Sequence, residues 1–170
     1  MEEVEVSAAA AVRERVFLLP ADAFPPDANA SGGADDDRIE GQGGKDLLAG
    51  NGGNDLIRGG FGFDEIDGGL GDDALYGDRG LDTIRGGDGA DYILGGAGAD
   101  SLQGQAGDDR IDGGYGHDEI FGNGGDDALA GQSGDDQIFG GGGNDELVGN
   151  AADLSQHVGR QVGGRDVGGG

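Results

Sequence analysis

Gly50-Asn-Gly-Gly-Asn-Asp-Leu-Ile-Arg58, Gly59-Gly-Phe-Gly-Phe-Asp-Glu-Ile-Asp67 and Gly68-Gly-Leu-Gly-Asp-Asp-Ala-Leu-Tyr76 are three successive copies of one nine-residue pattern. The pattern continues from Gly41 to Val148 through twelve copies with no insertion or deletion. Position 1 is Gly in every copy, position 4 is Gly, position 6 is Asp and position 8 is Ile or Leu. A fixed short period of this kind marks a repeat architecture, in which each unit buries its apolar side only by stacking on its neighbours.

Each copy divides into a Gly-rich six and a three-residue piece such as Leu56-Ile57-Arg58. Side chains alternate along a strand, so position 8 faces one way and positions 7 and 9 the other. The expected inward row is Leu48, Ile57, Ile66, Leu75, Ile84, Ile93, Leu102, Ile111, Ile120, Leu129, Ile138 and Leu147. Gly at positions 1 and 4 is expected to supply the left-handed or closely approached backbone of a chain reversal. At position 2, Asn51, Asp78 and Asn123 tolerate positive φ, whereas Gln42, Gln105 and Gln132 fit that reading less well. Two turns and two strands make one coil of eighteen residues, and coils stack in parallel at about 4.8 Å. The fold expected is all-β, a parallel β-roll or β-helix solenoid with short strands and Gly-rich turns.

Stacking by eighteen residues sets Asp46, Asp64 and Asp82 in one column and Asp55, Asp73 and Asp91 in another. Like charges so close repel unless a cation lies between them. Carboxylate and carbonyl oxygens in flexible turns suit calcium, which accepts six to eight oxygen ligands, better than octahedral magnesium. Across the twelve copies, twenty-three acidic residues face five basic ones. About ten calcium ions in the gaps between turns would bring that array close to neutrality, so binding and folding are expected to be one event.

Outside the array, residues 1–31 are Ala-rich, with Val12, Val16 and Leu19 at roughly helical spacing, and are expected to form a weak helix or strand and a linker. Residues 32–40 keep Asp37 and Ile39 in register but place Asp35 where Gly belongs, as in a degenerate capping repeat. Residues 149–170 leave the frame and read as a flexible tail.

The whole chain of 170 residues carries 35 Asp and Glu against 10 Lys and Arg, a net charge of −25. Such a surface repels phosphate backbones and anionic membranes, and its natural partners are cations. There are no cysteines, no stretch long enough to span a membrane, and an acidic start, Met1-Glu-Glu-Val-Glu5, where a cleaved secretory signal needs positive charge. His117 and His157 stand forty residues apart rather than in a His-Glu-x-x-His helix, and Gln132-Ser133-Gly134 lies within a repeat turn rather than a nucleophile elbow. Gly41-Gln-Gly-Gly-Lys45 runs into Asp46 where a phosphate loop needs Ser or Thr, and no EF-hand loop occurs. The array offers no catalytic constellation, and the chain is read as a non-enzyme.

These residues resemble the haemolysin-type calcium-binding repeat, the RTX nonapeptide Gly-Gly-x-Gly-x-Asp-x-U-x in which U is a large aliphatic residue. The resemblance covers residues 41–148, with a degenerate edge at 32–40. It implies a right-handed roll with calcium between the turns. The implied ligands are Asp46, Asp55, Asp64, Asp73, Asp82, Asp91, Asp100, Asp109, Asp118, Asp127, Asp136 and Asp145, with Asp37 as a further candidate and turn carbonyls completing each site. It also implies a secreted bacterial protein that uses type I secretion and folds in external calcium. Two other roles fit the pattern: a calcium-dependent surface, glycan or ice-binding adhesin module, and an accessory C-terminal fragment of a larger secreted toxin or hydrolase. The adhesin role needs a regular ladder, and position 7 reads Leu47, Leu56, Glu65, Ala74, Thr83, Tyr92, Ser101, Arg110, without order. The copy Gly77-Asp-Arg-Gly-Leu-Asp-Thr-Ile-Arg85 puts Arg79 and Leu81 in its turn, and its site is expected to be weaker.

Overall fold

The computed structural model describes residues 15–18 and 27–149. Every described strand runs parallel to its sheet neighbours, and no helix occurs among the described residues. Strands alternate between two sheets as the chain advances. One sheet has eight strands in the order Arg15–Leu18, Asp37–Gly44, Leu56–Gly62, Ala74–Gly80, Tyr92–Ala97, Arg110–Tyr115, Ala128–Ser133 and Glu146–Val148. The other has seven, in the order Gln137–Gly142, Glu119–Gly124, Ser101–Ala106, Thr83–Asp88, Glu65–Leu70, Leu47–Gly52 and Asn29–Ser31. The result is a parallel β-solenoid of about seven coils. Leu102 pairs with Ile84 on one side and Ile120 on the other, an offset of one coil in each direction.

The strands are longer than the three residues expected. Ser101–Ala106 takes positions 7 to 9 of one copy and 1 to 3 of the next, which leaves only positions 4 to 6 as the turn. The reason is that alternation continues past position 9. Leu102 and Gly104 both face inward, so the inner face of each half-coil reads Asp, Ile or Leu, Gly at positions 6, 8 and 1. The pairing skips position 1 and resumes at position 2.

Positive φ falls at positions 2 and 4 rather than 1 and 4. Gln42, Gln105 and Gln132 adopt it at 74°, 82° and 70°, alongside Asn51, Asp78 and Asn123. At position 4 only Gly is accommodated. Gly62 has φ 144°, and a Cβ there would run into the Gly44 carbonyl one coil away. Gly at position 1 has another cause, which lies in the site described below.

The core is two columns of aliphatic side chains, Ile39 to Leu129 from the eight-stranded sheet and Leu48 to Ile138 from the seven-stranded one, at most 2% exposed. Ile39, from the imperfect copy at 32–40, is as buried as the rest. Leu147 is only partly buried, because no described strand stacks beyond it. Residues 29–31, expected within a linker, instead form a strand in register with Leu47–Ala49. Arg15–Leu18 is likewise a strand, paired with Asp37–Glu40. The expectations for residues 1–14 and 19–26 and for the tail at 150–170 lie outside the described residues.

An inward position and an outward one should respond differently to truncation. Ile93→Ala is expected to cost about 2–5 kcal/mol by denaturant unfolding in calcium. Leu47, half exposed at 50%, should lose no more than about 0.5 kcal/mol as Leu47→Ala. Equal losses would reject this assignment of inside and outside.

Candidate metal centre

Position 6 ends the three-residue turn and turns its side chain inward, beside the aliphatic residue at position 8. The sequence places an aspartate there in every copy, and the fold buries it. Asp46, Asp64, Asp82, Asp100, Asp118 and Asp136 form one column, and Asp37, Asp55, Asp73, Asp91, Asp109 and Asp127 the other, all at most 4% exposed. Asp145, at the end of the second column, is half-buried.

One oxygen of each carboxylate is satisfied by the neighbouring coil. The Asp46 N–H donates to Asp64 Oδ1 at 2.9 Å, Asp64 N–H to Asp82 at 2.8 Å, and Asp82 N–H to Asp100 at 2.9 Å. The other column repeats this from Asp37 N–H to Asp55 through Asp127 N–H to Asp145. The stacked acids are thus joined by N–H donors, where the sequence suggested only repulsion awaiting a cation.

The other oxygen is left over. Oδ2 of Asp46, Asp55, Asp64, Asp73, Asp82, Asp91, Asp100, Asp109, Asp118 and Asp127 is buried and has no hydrogen-bond partner. A buried carboxylate oxygen without a donor or cation is costly. Each such oxygen lies against the position 1 glycine of its own copy. A Cβ on Gly95 would stand 2.7 Å from Asp100 Oδ2 and 2.7 Å from the Gly113 carbonyl; on Gly77 it would stand 2.5 Å from Asp82 Oδ2 and 2.6 Å from the Gly95 carbonyl. Gly41, Gly50, Gly68, Gly86 and Gly122 show the same pair of oxygens. Position 1 is therefore glycine to leave room for the carboxylate and the next coil's carbonyl.

Burial pushes the Asp46 and Asp118 carboxyls up to about 6, and those of Asp73, Asp82 and Asp109 up to about 7. The backbone N–H at Oδ1 opposes the rise, and nearby aspartates add to it. Burial also raises Asp55, Asp64, Asp91, Asp100 and Asp127. Energetically these groups are short of positive charge.

The donor set fits a hard cation. It consists of carboxylate and backbone carbonyl oxygens, as calcium takes, without imidazole or thiolate. Among the described residues no three His, Cys, Asp or Glu side chains converge, so carbonyls would have to supply much of any coordination shell. The turn holding Arg79 and Leu81 keeps the common geometry. Asp82 is buried and bonded like the others, while Arg79 lies outside against Phe61. His117 is exposed and accepts the Asp135 N–H at Nδ1, 2.9 Å away. His157 lies outside the described residues.

Position 5 contributes a role that sequence reading missed. Asp36 Oδ1 accepts the Asn54 N–H, Asn54 Oδ1 accepts that of Asp72, and Asp72 Oδ1 that of Ala90. The adjacent acids Asp72 and Asp73 therefore point apart, one capping outside and one buried inside. Asp or Asn recurring at intervals of one coil was the available signal.

Alanine substitution tests the space kept by glycine at position 1. Gly95→Ala should weaken calcium binding and lower the melting temperature, because its methyl group displaces Asp100 Oδ2. Gly124→Ala, whose Cβ would meet only the Gln105 carbonyl at 3.6 Å, should leave both unchanged. Calorimetric calcium titration of the two variants checks this; loss in both, or in neither, counts against the cradle.

The RTX calcium-binding nonapeptide repeat (4 copies) matches residues 29–57, 49–84, 67–102, 85–120, 94–129 and 121–153. No curated protein matches the chain. The matched segments run together from residue 29 to 153 and contain every buried aspartate among the described residues, so the chain belongs to the RTX calcium-binding nonapeptide repeat family.

Proposed function

We propose that this chain is a non-enzymatic calcium-binding roll of a secreted protein, unfolded at the low calcium of a cytosol and folded outside the cell. The observation that carries this reading is the row of buried Oδ2 atoms with no partner. The ligands are Asp46, Asp55, Asp64, Asp73, Asp82, Asp91, Asp100, Asp109, Asp118, Asp127, Asp136 and Asp145, with carbonyls of the glycine-rich turns.

Bound calcium supplies the positive charge that these carboxylates lack. The residues do the rest. The N–H donors at Oδ1 hold each carboxylate in one orientation, the glycines at position 1 keep space beside Oδ2, and the aliphatic file excludes water from the inner side. Without calcium, the roll would bury charged carboxylates beside a core of only one aliphatic side chain per half-coil, and the unfolded chain is favoured. Export through type I secretion is consistent with such a chain, since it stays unfolded until calcium is available.

Far-UV circular dichroism should show β structure in millimolar calcium and lose it in excess chelator. Calorimetry should count about ten ions per chain. Persistent β structure in chelator, or a stoichiometry of one or two, would overturn the reading.

Protons and calcium compete for these carboxylates. Because the folded-state pKa values lie above the ordinary carboxylate value of 3.8, at about 6 to 7 in five of the groups, they favour the metal-free fold fully only below about pH 4. That contribution is lost as pH rises through about 7. The metal-free chain should thus gain β structure on acidification from about pH 8 to about pH 4, and the calcium needed for half-folding should fall over the same interval, because protonated carboxyls already favour the fold. A calcium midpoint that does not move with pH would contradict this competition.

A further inference from the structure

The two turn edges of the roll are not equivalent. The aspartate column from Asp37 to Asp145 lies at the turns leading from the seven-stranded sheet to the eight-stranded one, and the column from Asp46 to Asp136 at the turns leading back. Their buried aspartates match, but the residues around them at positions 3 to 5 do not. The first edge carries Asp35, Asp36, Asp72, Asp88, Asp108 and Asp126 there, all exposed, and no cation. On the second edge Asp27 and Asp135 are offset by Lys45 and Arg79, and the middle turns present Phe63, Leu81 and Ala99 at position 5. On the sheet faces beyond the turns, Arg38 pairs with Glu40 and Glu65 with Arg85, while Arg110 beside the first edge and Glu119 beside the second run against the contrast.

The turn acids act on the buried row. Burial is the main cause of every raised carboxyl, and neighbouring acids then add to it unevenly. Asp72 adds to the rise of Asp73 and Asp91, Asp108 to that of Asp109 and Asp127, and Asp36 to that of Asp55. Across the roll, Asp100 rises through burial with no neighbouring acid behind it, and His117 opposes the rise of Asp118. Asp78 acts on Asp64 and Asp82 from the sheet face, where Arg58 stands 4.0 Å from it. The first edge is also the better braced. Oδ1 of Asp36, Asn54, Asp72, Asp108 and Asp126 each accepts a backbone N–H one coil on, at 2.8 to 3.0 Å. On the second edge such bonds stand at the two ends, Asp27 accepting the Lys45 N–H and His117 that of Asp135, and Phe63, Leu81 and Ala99 between them have no side-chain acceptor to offer.

We propose that the two edges form two classes of calcium site: the acidic, braced turns along Asp55 to Asp127 take calcium first and tightly, and the turns along Asp64 to Asp118 fill at higher calcium. Calcium affinity follows the charge around the oxygen cage and the rigidity with which its ligands are held. Both favour the first edge. One carboxylate about 8 Å from a dication changes affinity roughly tenfold even in a water-like dielectric. Position 5 thus sets affinity through charge and bracing, while the buried aspartate and the turn carbonyls remain the ligands. The inference rests on the calcium reading, since the sites must exist in order to differ.

Calorimetric calcium titration of the full chain, with circular dichroism on the same samples, tests this. Two steps of comparable stoichiometry are expected, about tenfold or more apart in affinity. Asp72→Asn combined with Asp108→Asn should weaken the first step about tenfold and leave the second in place. Asparagine at position 5 keeps the N–H bond, as Asn54 does for Asp72, so the pair removes charge alone. Leu81→Asp combined with Ala99→Asp should move ions from the second step into the first. All four side chains are exposed, and circular dichroism in saturating calcium reads the folding of each variant; should one pair fail to fold, the other decides. Neither heat nor β structure on adding calcium to the parent would sink the calcium reading itself. A single step, equal weakening of both steps by the asparagine pair, or a second step unmoved by the aspartate pair would each overturn the two classes while leaving calcium binding intact.

Discussion

The structure depends on one constraint, the burial of an aspartate in every half-coil. The inner face repeats Asp, Ile or Leu, Gly, and each member explains the next. The carboxylate needs space, so position 1 is glycine and carries no methyl group into Asp Oδ2 or the carbonyl of the following coil. With two of three inward positions given to a charged residue and a glycine, only one aliphatic side chain remains per half-coil, and the core is reduced to one column from each sheet.

The hydrogen bonds to Oδ1 give this constraint a direction along the chain. Each aspartate accepts an N–H from the aspartate one coil nearer the N-terminus, beginning with the Ala28 N–H on Asp46 and ending with the Asp127 N–H on Asp145. A coil therefore caps the one before it and is capped by the one after. Stability in such an array is a sum of weak units and strong neighbour terms, so the coils form together or hardly at all. A cation shared between turns adds to the neighbour term, where the array gains most from it.

Much of this was legible in the repeat. Alternation about position 8 places the whole file of core residues from Leu48 to Ile138, and the eighteen-residue coil gives the strand register observed throughout. Reading glycine only as a turn residue obscured the rest. Gly95 serves by lacking volume rather than by taking positive φ, and that becomes visible only when Asp100 and the Gly113 carbonyl occupy the space a side chain would need. The same error shortened the strands, since a glycine at position 1 looked like the end of a strand that in fact continues inward for another alternation. Position 2 misled in the opposite sense: Gln42, Gln105 and Gln132 take positive φ because the neighbouring strands impose one backbone path on every copy, and local preference yields to it.

Interleaving of the two sheets accounts for what chain order hid on the outside. Consecutive copies belong to opposite sheets, so a list of outward residues in chain order mixes two surfaces and looks random. Taken in alternate copies, the same residues separate into one face bearing Phe61, Arg79, Tyr76, Tyr92 and Tyr115 and another whose matching row carries Leu70 and Asp88. The inner face cannot vary, because every residue on it is held by the carboxylate, the aliphatic file or the glycine gap. Outer positions are free of those demands: the eight-stranded sheet carries Arg38, Arg58, Arg79, Arg110 and the three tyrosines, while the seven-stranded sheet carries Arg85 and the stacked rings of Phe121 and Phe139, 4.9 Å apart.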